Sequence, residues 1–296
     1  MKVENNTYEM AVAVFTSHKN NTTMKEPVEK GDKKGEDGVT LELSTLGIQA
    51  QNSRTSNIGY QQWLSSLGFF SGSFDGNLSS TASAKAIRNF QKTYGISANG
   101  TLNETTKNKL SNAYAMYTSV KNNSGMSALH TDGKYCFDNQ QIEDFARTWT
   151  FLRVGMGASS KAAAGVMGNI YAESAVSHDN AQDSSYPGKH NSSYSYKVND
   201  GVGYGLIQWT YQDRKQGLLN KANEMGISVT DINAQLAYFR TELTGLYSKA
   251  WSSINESKSV DGASDIFLQE IENPARPNLI QRREYAQKFY DYFKNN

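Results

Sequence analysis

The sequence predicts a mainly α protein in two parts: a small three-helix bundle at the N-terminal side and a larger α-rich domain after it. Three observations lead there. Apolar residues recur at helical spacing from about residue 57 onward, glycines punctuate those stretches, and 296 residues exceed one ordinary domain without reaching three.

Taken in order, residues 1–50 are expected to form a flexible arm. The run from Lys25 to Asp37 mixes charges without a single aromatic and offers too little apolar surface to offset the entropy of ordering. A solvated tether is the expected role, with docking onto a delivery partner as the alternative. Met10-Ala-Val-Ala-Val-Phe15 is too short for a membrane span and is preceded by Glu4 and Glu9 rather than a basic segment. Neither a signal peptide nor membrane insertion is predicted, so the expectation is synthesis in the cytoplasm.

Residues 51–112 read as the bundle. Ile58, Trp63, Leu64 and Leu67 share a helical stripe that ends at Gly68, Thr81 is placed to cap a helix carrying Ala84, Ile87, Phe90 and Gln91 up to Gly95, and a third helix runs around Thr105 to Leu110. Residues 113–134 are expected to be a linker because of their Asn, Ser and Gly content. Residues 135–296 form the second domain, opening with a helix from Asn139 through Phe145, Trp149 and Leu152. Later helices carry Ile232, Leu236, Phe239 and Leu243, then Tyr285, Phe289 and Phe293.

Composition excludes several chemistries. Thirty Lys and Arg against 29 Asp and Glu leave no net field to hold nucleic acid or an anionic membrane. One cysteine, Cys136, rules out an intramolecular disulfide and a multi-cysteine zinc site. His18, His130, His178 and His190 include no i, i+4 pair for zinc, and Cys136 with His178 or His190 is the weaker option of a cysteine peptidase. No metal or organic cofactor is implied.

The chemistry concentrates in two segments. Ser159 to Ser174 reads as a capped helix with Ala163, Val166, Met167 and Ile170 on one stripe, and Glu173 is the next member of it. Partial burial and the negative end of the helix dipole both disfavour an ionised carboxylate there, so a proton-donating carboxyl is expected. The alternative is an exposed surface glutamate. The second segment, Gly201-Val-Gly-Tyr-Gly-Leu-Ile-Gln-Trp-Thr210, combines backbone freedom with Tyr204 and Trp209 as faces for sugar rings and Gln208 as a donor and acceptor. An ordinary hairpin with a core tryptophan is the alternative here.

Two resemblances sharpen this reading. Gly68-Phe-Phe, Asp75-Gly76, Thr81, Ala86-Ile87, Phe90-Gln91, Gly95-Ile96, Gly100, Thr106 and Leu110 fall in the order of the peptidoglycan-binding type 1 domain, which residues 52–112 resemble. Ala164-Gly-Val-Met-Gly-Asn-Ile-Tyr-Ala-Glu-Ser174, Gly203-Tyr-Gly-Leu-Ile-Gln-Trp-Thr210, and Phe267 followed by Glu272-Asn-Pro274 and Arg283 resemble the phage tail lysozyme family over most of residues 138–293. The resemblance implies a lysozyme-like fold, bacterial peptidoglycan as partner, Glu173 as the catalytic acid, and Tyr204, Gly205, Gln208 and Trp209 bordering a sugar cleft. It further implies a muramidase of the endolysin type, and the expected lack of a signal peptide points to delivery to the wall through a holin-type pore or by an injection machine.

A second carboxylate is not fixed by these motifs. Asp179, Asp183 and Asp200 lie in or beside a polar excursion over residues 178–200, and Asp200, just before the glycines, is the preferred water-positioning base, with a turn aspartate as its alternative. Glu272 is expected either to orient the cleft wall by pairing with Arg283 or to start the turn at Pro274. A lytic transglycosylase, which can use one glutamate as acid and then base, and a non-catalytic wall-binding virion component stay open as alternatives.

Overall fold

The computed structural model describes residues 53–131, 137–182, 194–272 and 277–296, and the fold is mainly α as expected. Among the described residues the β structure amounts to isolated bridges that pair Tyr204 with Ala181 and with Trp209. The expected arm of residues 1–50, and Cys136, Asp183, His190 and Pro274, lie outside the described residues. The described residues fall into two compact units, one of residues 53–59 with Phe74–Asn77 and one of Tyr60–Ser73 with the described residues from Leu78 to Asn296.

Helix α1 spans residues 53–66, and the chain turns at Gly68 with φ of +83°. Helix α2, Thr81–Thr93, is capped one residue earlier than expected: Ser80, not Thr81, accepts from the Ser83 amide. Gln91 is buried and ties the next loop down, donating to Thr101 O and Thr106 Oγ1 while its Oε1 accepts from the Gly100 amide at 2.8 Å. Trp63 stacks on Tyr114 with ring centroids 5.2 Å apart, and Leu64, Ile87, Phe90 and Leu110 fill the space between the helices.

The linker expected over residues 113–134 is helical up to Thr131. Helix α3 runs Glu104–Lys121 and helix α4 Ser124–Thr131, with a break at Asn122 and Asn123. Leu110, Ala113, Tyr117 and Val120 recur at three- and four-residue intervals and all are buried, and that periodicity outweighs the local Asn and Ser content.

Helix α5, Asn139–Thr150, opens on a capping box between Asp138 and Gln141 and runs into a π turn at Phe151–Gly155. Helix α6, Ser160–Ser174, is capped by Ser159 and is buried through Ala162–Ile170 on nearly every side. Small residues make this possible. A Cβ on Gly165 would stand 2.7 Å from the Ser264 amide nitrogen, so the backbone of helix α10, Val260–Phe267, approaches α6 directly. Gly168 admits helix α11, Leu279–Phe293, in the same way. Helices α7 (Gln212–Met225), α8 (Ile232–Thr244, with the four expected core residues buried) and α9 (Ser248–Glu256) complete the body.

Candidate active site

The sequence places Glu173 in the last turn of α6, and the structure leaves its side chain 19% exposed at the edge of an otherwise buried helix. The chain then turns abruptly, because Ala175 and Val176 both take left-handed φ, at 53° and 63°. For a β-branched residue such as Val176 that conformation is strained. Ser174 Oγ donates to Leu206 O at 2.7 Å, which fastens the end of α6 to the glycine-rich loop.

A guanidinium completes this end of the site. Arg282 Nη2 hydrogen-bonds and ion-pairs with Glu173 Oε1, while Nη1 donates to Asn169 Oδ1 at 3.2 Å and Nε to Pro277 O at 3.1 Å. Asn169 is held in turn by Ser264 and the Gly165 carbonyl. The carboxyl at this helix end thus has a charged partner that the sequence did not identify. Sequence reading singled out the neighbouring Arg283, which instead makes a two-pronged pair with Asp265 on α10. The i, i+1 offset matters because adjacent helical residues point about 100° apart.

The glycine loop is pinned by Gln235, a fully buried residue of α8. Its Oε1 accepts from the Leu206 amide at 3.0 Å, and its Nε2 donates to His178 O and Val229 O. Gly205 has φ of +78°, and a Cβ there would lie 2.5 Å from Gln235 Oε1, so only glycine fits. Gln208 also adopts a left-handed φ of 50° and donates to the Gly205 and Asn180 carbonyls, which leaves its half-buried side chain at the loop surface.

Neither aromatic expected to face a sugar does so. Trp209 is fully buried and donates its Nε1 proton to Glu242 Oε2 at 2.9 Å; Tyr204 is 2% exposed and packs against Tyr194 and Tyr196. The antiparallel bridge between Tyr204 and Trp209 sets both rings on the same, inward side. The exposed aromatic is the next tyrosine, Tyr211, at 71%. Glu242 also takes both prongs of Arg214, at 2.7 and 3.0 Å.

Glu272 ends a π turn, Leu268–Glu272, that continues α10. Such turns are often found at functional sites because they re-aim one side chain out of helical register. Here the carboxyl is driven inward: Oε1 is buried and has no hydrogen-bond partner among the described residues. Burial, reinforced by the charge of Glu173 and opposed by Arg214 and Arg282, pushes this carboxyl up to about 8. The pairing expected with Arg283 is therefore not made.

Asp200 stands in a different arrangement. Its Oδ1 accepts from Lys215 Nζ at 2.6 Å and from the Val202 amide at 3.0 Å, and its Oδ2 from the Tyr194 hydroxyl. Burial works to raise this carboxyl, but those hydrogen bonds outweigh it and hold it at about 2. Lys215 is completely buried, with the Tyr196 ring 4.9 Å from its ammonium. His178, a candidate in the peptidase option, is engaged by the buried Asp144 at 2.6 Å. No group of three metal-ligating side chains occurs among the described residues.

A helical body whose central helix delivers a half-open carboxyl to a glycine loop, with arginines and a second carboxyl behind it, defines a lysozyme-like domain. Residues 144–293, half of the chain, match the phage tail lysozyme family, and the chain belongs to it. Residues 59–110 match the peptidoglycan-binding domain. A wall-binding module followed by a lysozyme domain makes the chain a peptidoglycan hydrolase. No described helix is long and apolar enough to cross a membrane.

Proposed function

We propose that the chain is an N-acetylmuramidase in which Glu173 is the general acid for the leaving glycosidic oxygen. The observation that carries this reading is the position of Glu173, whose side chain stays 19% exposed at the edge of an otherwise buried helix, while Oε1 of Glu272 is buried without a partner among the described residues. A carboxyl at that edge is open to a bound sugar polymer. Arg282 fixes the direction of that carboxyl through its second contact with Asn169. Gln208, half-buried at the loop surface, offers its amide oxygen to the sugar, and Tyr211 supplies the exposed ring.

Asp200, the expected base, has both oxygens occupied by Lys215, Val202 and Tyr194. We therefore give it the role of holding the loop. That occupation favours, as a second reading, a lytic transglycosylase, whose single glutamate serves as acid and then base. Delivery to the wall through a pore or an injection device belongs to the same proposal.

Digestion of purified peptidoglycan by the wild type and by Glu173→Gln, with mass spectrometry of the released ends, decides between these. Reducing muramic ends made only by the wild type support the muramidase. Anhydro ends select the transglycosylase, and cleaved peptides with intact glycan reject both.

A further inference from the structure

We infer that Glu272 is the proton store of this site, a neutral carboxyl that shares one proton with Glu173 and so keeps the acid supplied at neutral pH. The inference rests on the assignment of Glu173 as the acid. Five titratable or charged groups bear on this carboxyl: Glu173 on α6, Arg214 on α7, Glu242 on α8, Tyr247 before α9 and Arg282 on α11. Their charges nearly cancel. Arg282 is matched by Glu173 and Arg214 by Glu242, so no cation is left over to stabilise a third carboxylate.

A third negative charge in that setting would be both desolvated and repelled by Glu173, which is the arrangement in which two carboxyls retain one proton between them. The unpartnered Oε1 points the same way, since a charged carboxylate oxygen buried without a donor is far more costly than a neutral one. During the reaction Glu173 gives its proton to the glycosidic oxygen as the bond to the anomeric carbon breaks, and the pair is left one proton short. The attacking water then places its oxygen on the anomeric carbon and returns a proton to the pair. Glu272 touches neither substrate nor reacting atoms, so its role is that of a positioning residue acting through Glu173.

The test is the pH profile of kcat/KM on soluble peptidoglycan fragments for the wild type and Glu272→Gln, together with infrared spectra of both. In the wild type, activity persists until the shared proton is lost. In Glu272→Gln, Glu173 must draw its proton from solvent alone, so the alkaline limb moves toward acid by at least about one pH unit while activity on the acid side survives. A variant whose rate falls uniformly with an unmoved limb overturns the proposal. The infrared spectrum of the wild type at neutral pH contains a protonated-carboxyl band that Glu272→Gln lacks; a wild type without such a band, or a variant that keeps it, overturns the proposal as well. Should Glu272→Gln fail to fold, Glu173→Gln serves instead, because loss of the neighbouring charge moves the titration of that band to lower pH, and an unmoved band is the contrary result. Wild-type levels of hydrolysis by Glu173→Gln would reject the underlying muramidase assignment, which the infrared outcomes leave separate.

Discussion

Gly168 on α6 lies so close to Arg282 on α11 that a Cβ built on the glycine would stand 2.7 Å from the Arg282 carbonyl oxygen and equally near the Ala286 amide nitrogen. These are backbone atoms of a packed helix and cannot step aside as a flexible side chain would. The absence of a side chain at residue 168 thus sets where Arg282 sits, and Arg282 in turn grips Glu173. Gly168→Ala is expected to force the two helices apart at a cost of about 1–3 kcal/mol, typical of overpacking. Thermal unfolding gives the stability loss, and activity measured well below the transition should fall as well, because the arginine moves with its helix. Full activity in a destabilised but folded variant would show that Arg282 does not need its present position.

Much of this was legible in the sequence and some was not, for identifiable reasons. The stripe Val166, Met167, Ile170, Glu173 gave the helix and its exposed edge directly, because burial and spacing act within one element. The partners of Glu173 come from α11, more than a hundred residues away, and a choice between Arg282 and Arg283 depends on the rotation of that helix about its axis. Trp209 and Tyr204 look like sugar platforms as residue types, yet the bridge between them and the acceptor Glu242 turn them into core. Glu242 and Gln235 were missed because in sequence they are polar positions on an amphipathic helix, and only the folded chain shows that they are buried.

The Asp200–Lys215 pair should be a structural clamp, and its pH dependence has a definite sign. Asp200 is held at about 2, below its ordinary 3.8, so the pair contributes stability above about pH 4 that is lost as pH falls toward 2. In Asp200→Asn the buried ammonium of Lys215 loses its counter-ion, and the melting temperature at neutral pH should drop. The melting temperature of the variant should also change less than that of the wild type between pH 4 and 2. If Asp200 is a clamp, kcat measured where the variant is fully folded stays within about tenfold of the wild type. A loss of several orders of magnitude in folded protein would restore Asp200 to the reaction as a base.

A second ionic device has the opposite sign. Burial alone pushes the His178 imidazole down, but the hydrogen bond and charge of Asp144, helped by Asp179 and Asp231, outweigh it and raise it above 6.5. A raised histidine stabilises the fold fully below its unfolded value, and the contribution disappears as pH rises through the folded one. The wild type should therefore lose melting temperature from about pH 6.5 upward. His178→Gln should start lower at pH 6 and show a flatter dependence above pH 6.5. Parallel curves for the two proteins would mean that folding does not raise the His178 imidazole.

The wall-binding helices invite treatment as a detachable module, yet within the compact unit they are bonded directly to the lysozyme body. Asn89 on α2 is buried and donates to Met225 O at 3.0 Å, Lys92 pairs with Glu224 at 2.9 Å, and Asn233 on α8 donates to Leu67 O at 3.3 Å. Gly95, with φ of +67°, faces the Arg240 guanidinium so closely that any side chain there would overlap it. Removal of residues 1–112 would leave the Met225 carbonyl, the Asn233 amide and the apolar surface beside them without partners. The compact unit of Tyr60–Ser73 and Leu78–Asn296 should consequently unfold in one calorimetric transition, with the calorimetric and van't Hoff enthalpies in agreement. Asn89→Ala, which strips a buried carbonyl of its donor, should lower that single transition by an amount equivalent to about 1–3 kcal/mol. Two separate transitions, of which Asn89→Ala moves only the one belonging to the bundle, would mean that the two parts fold independently and that the junction is a contact without shared stability.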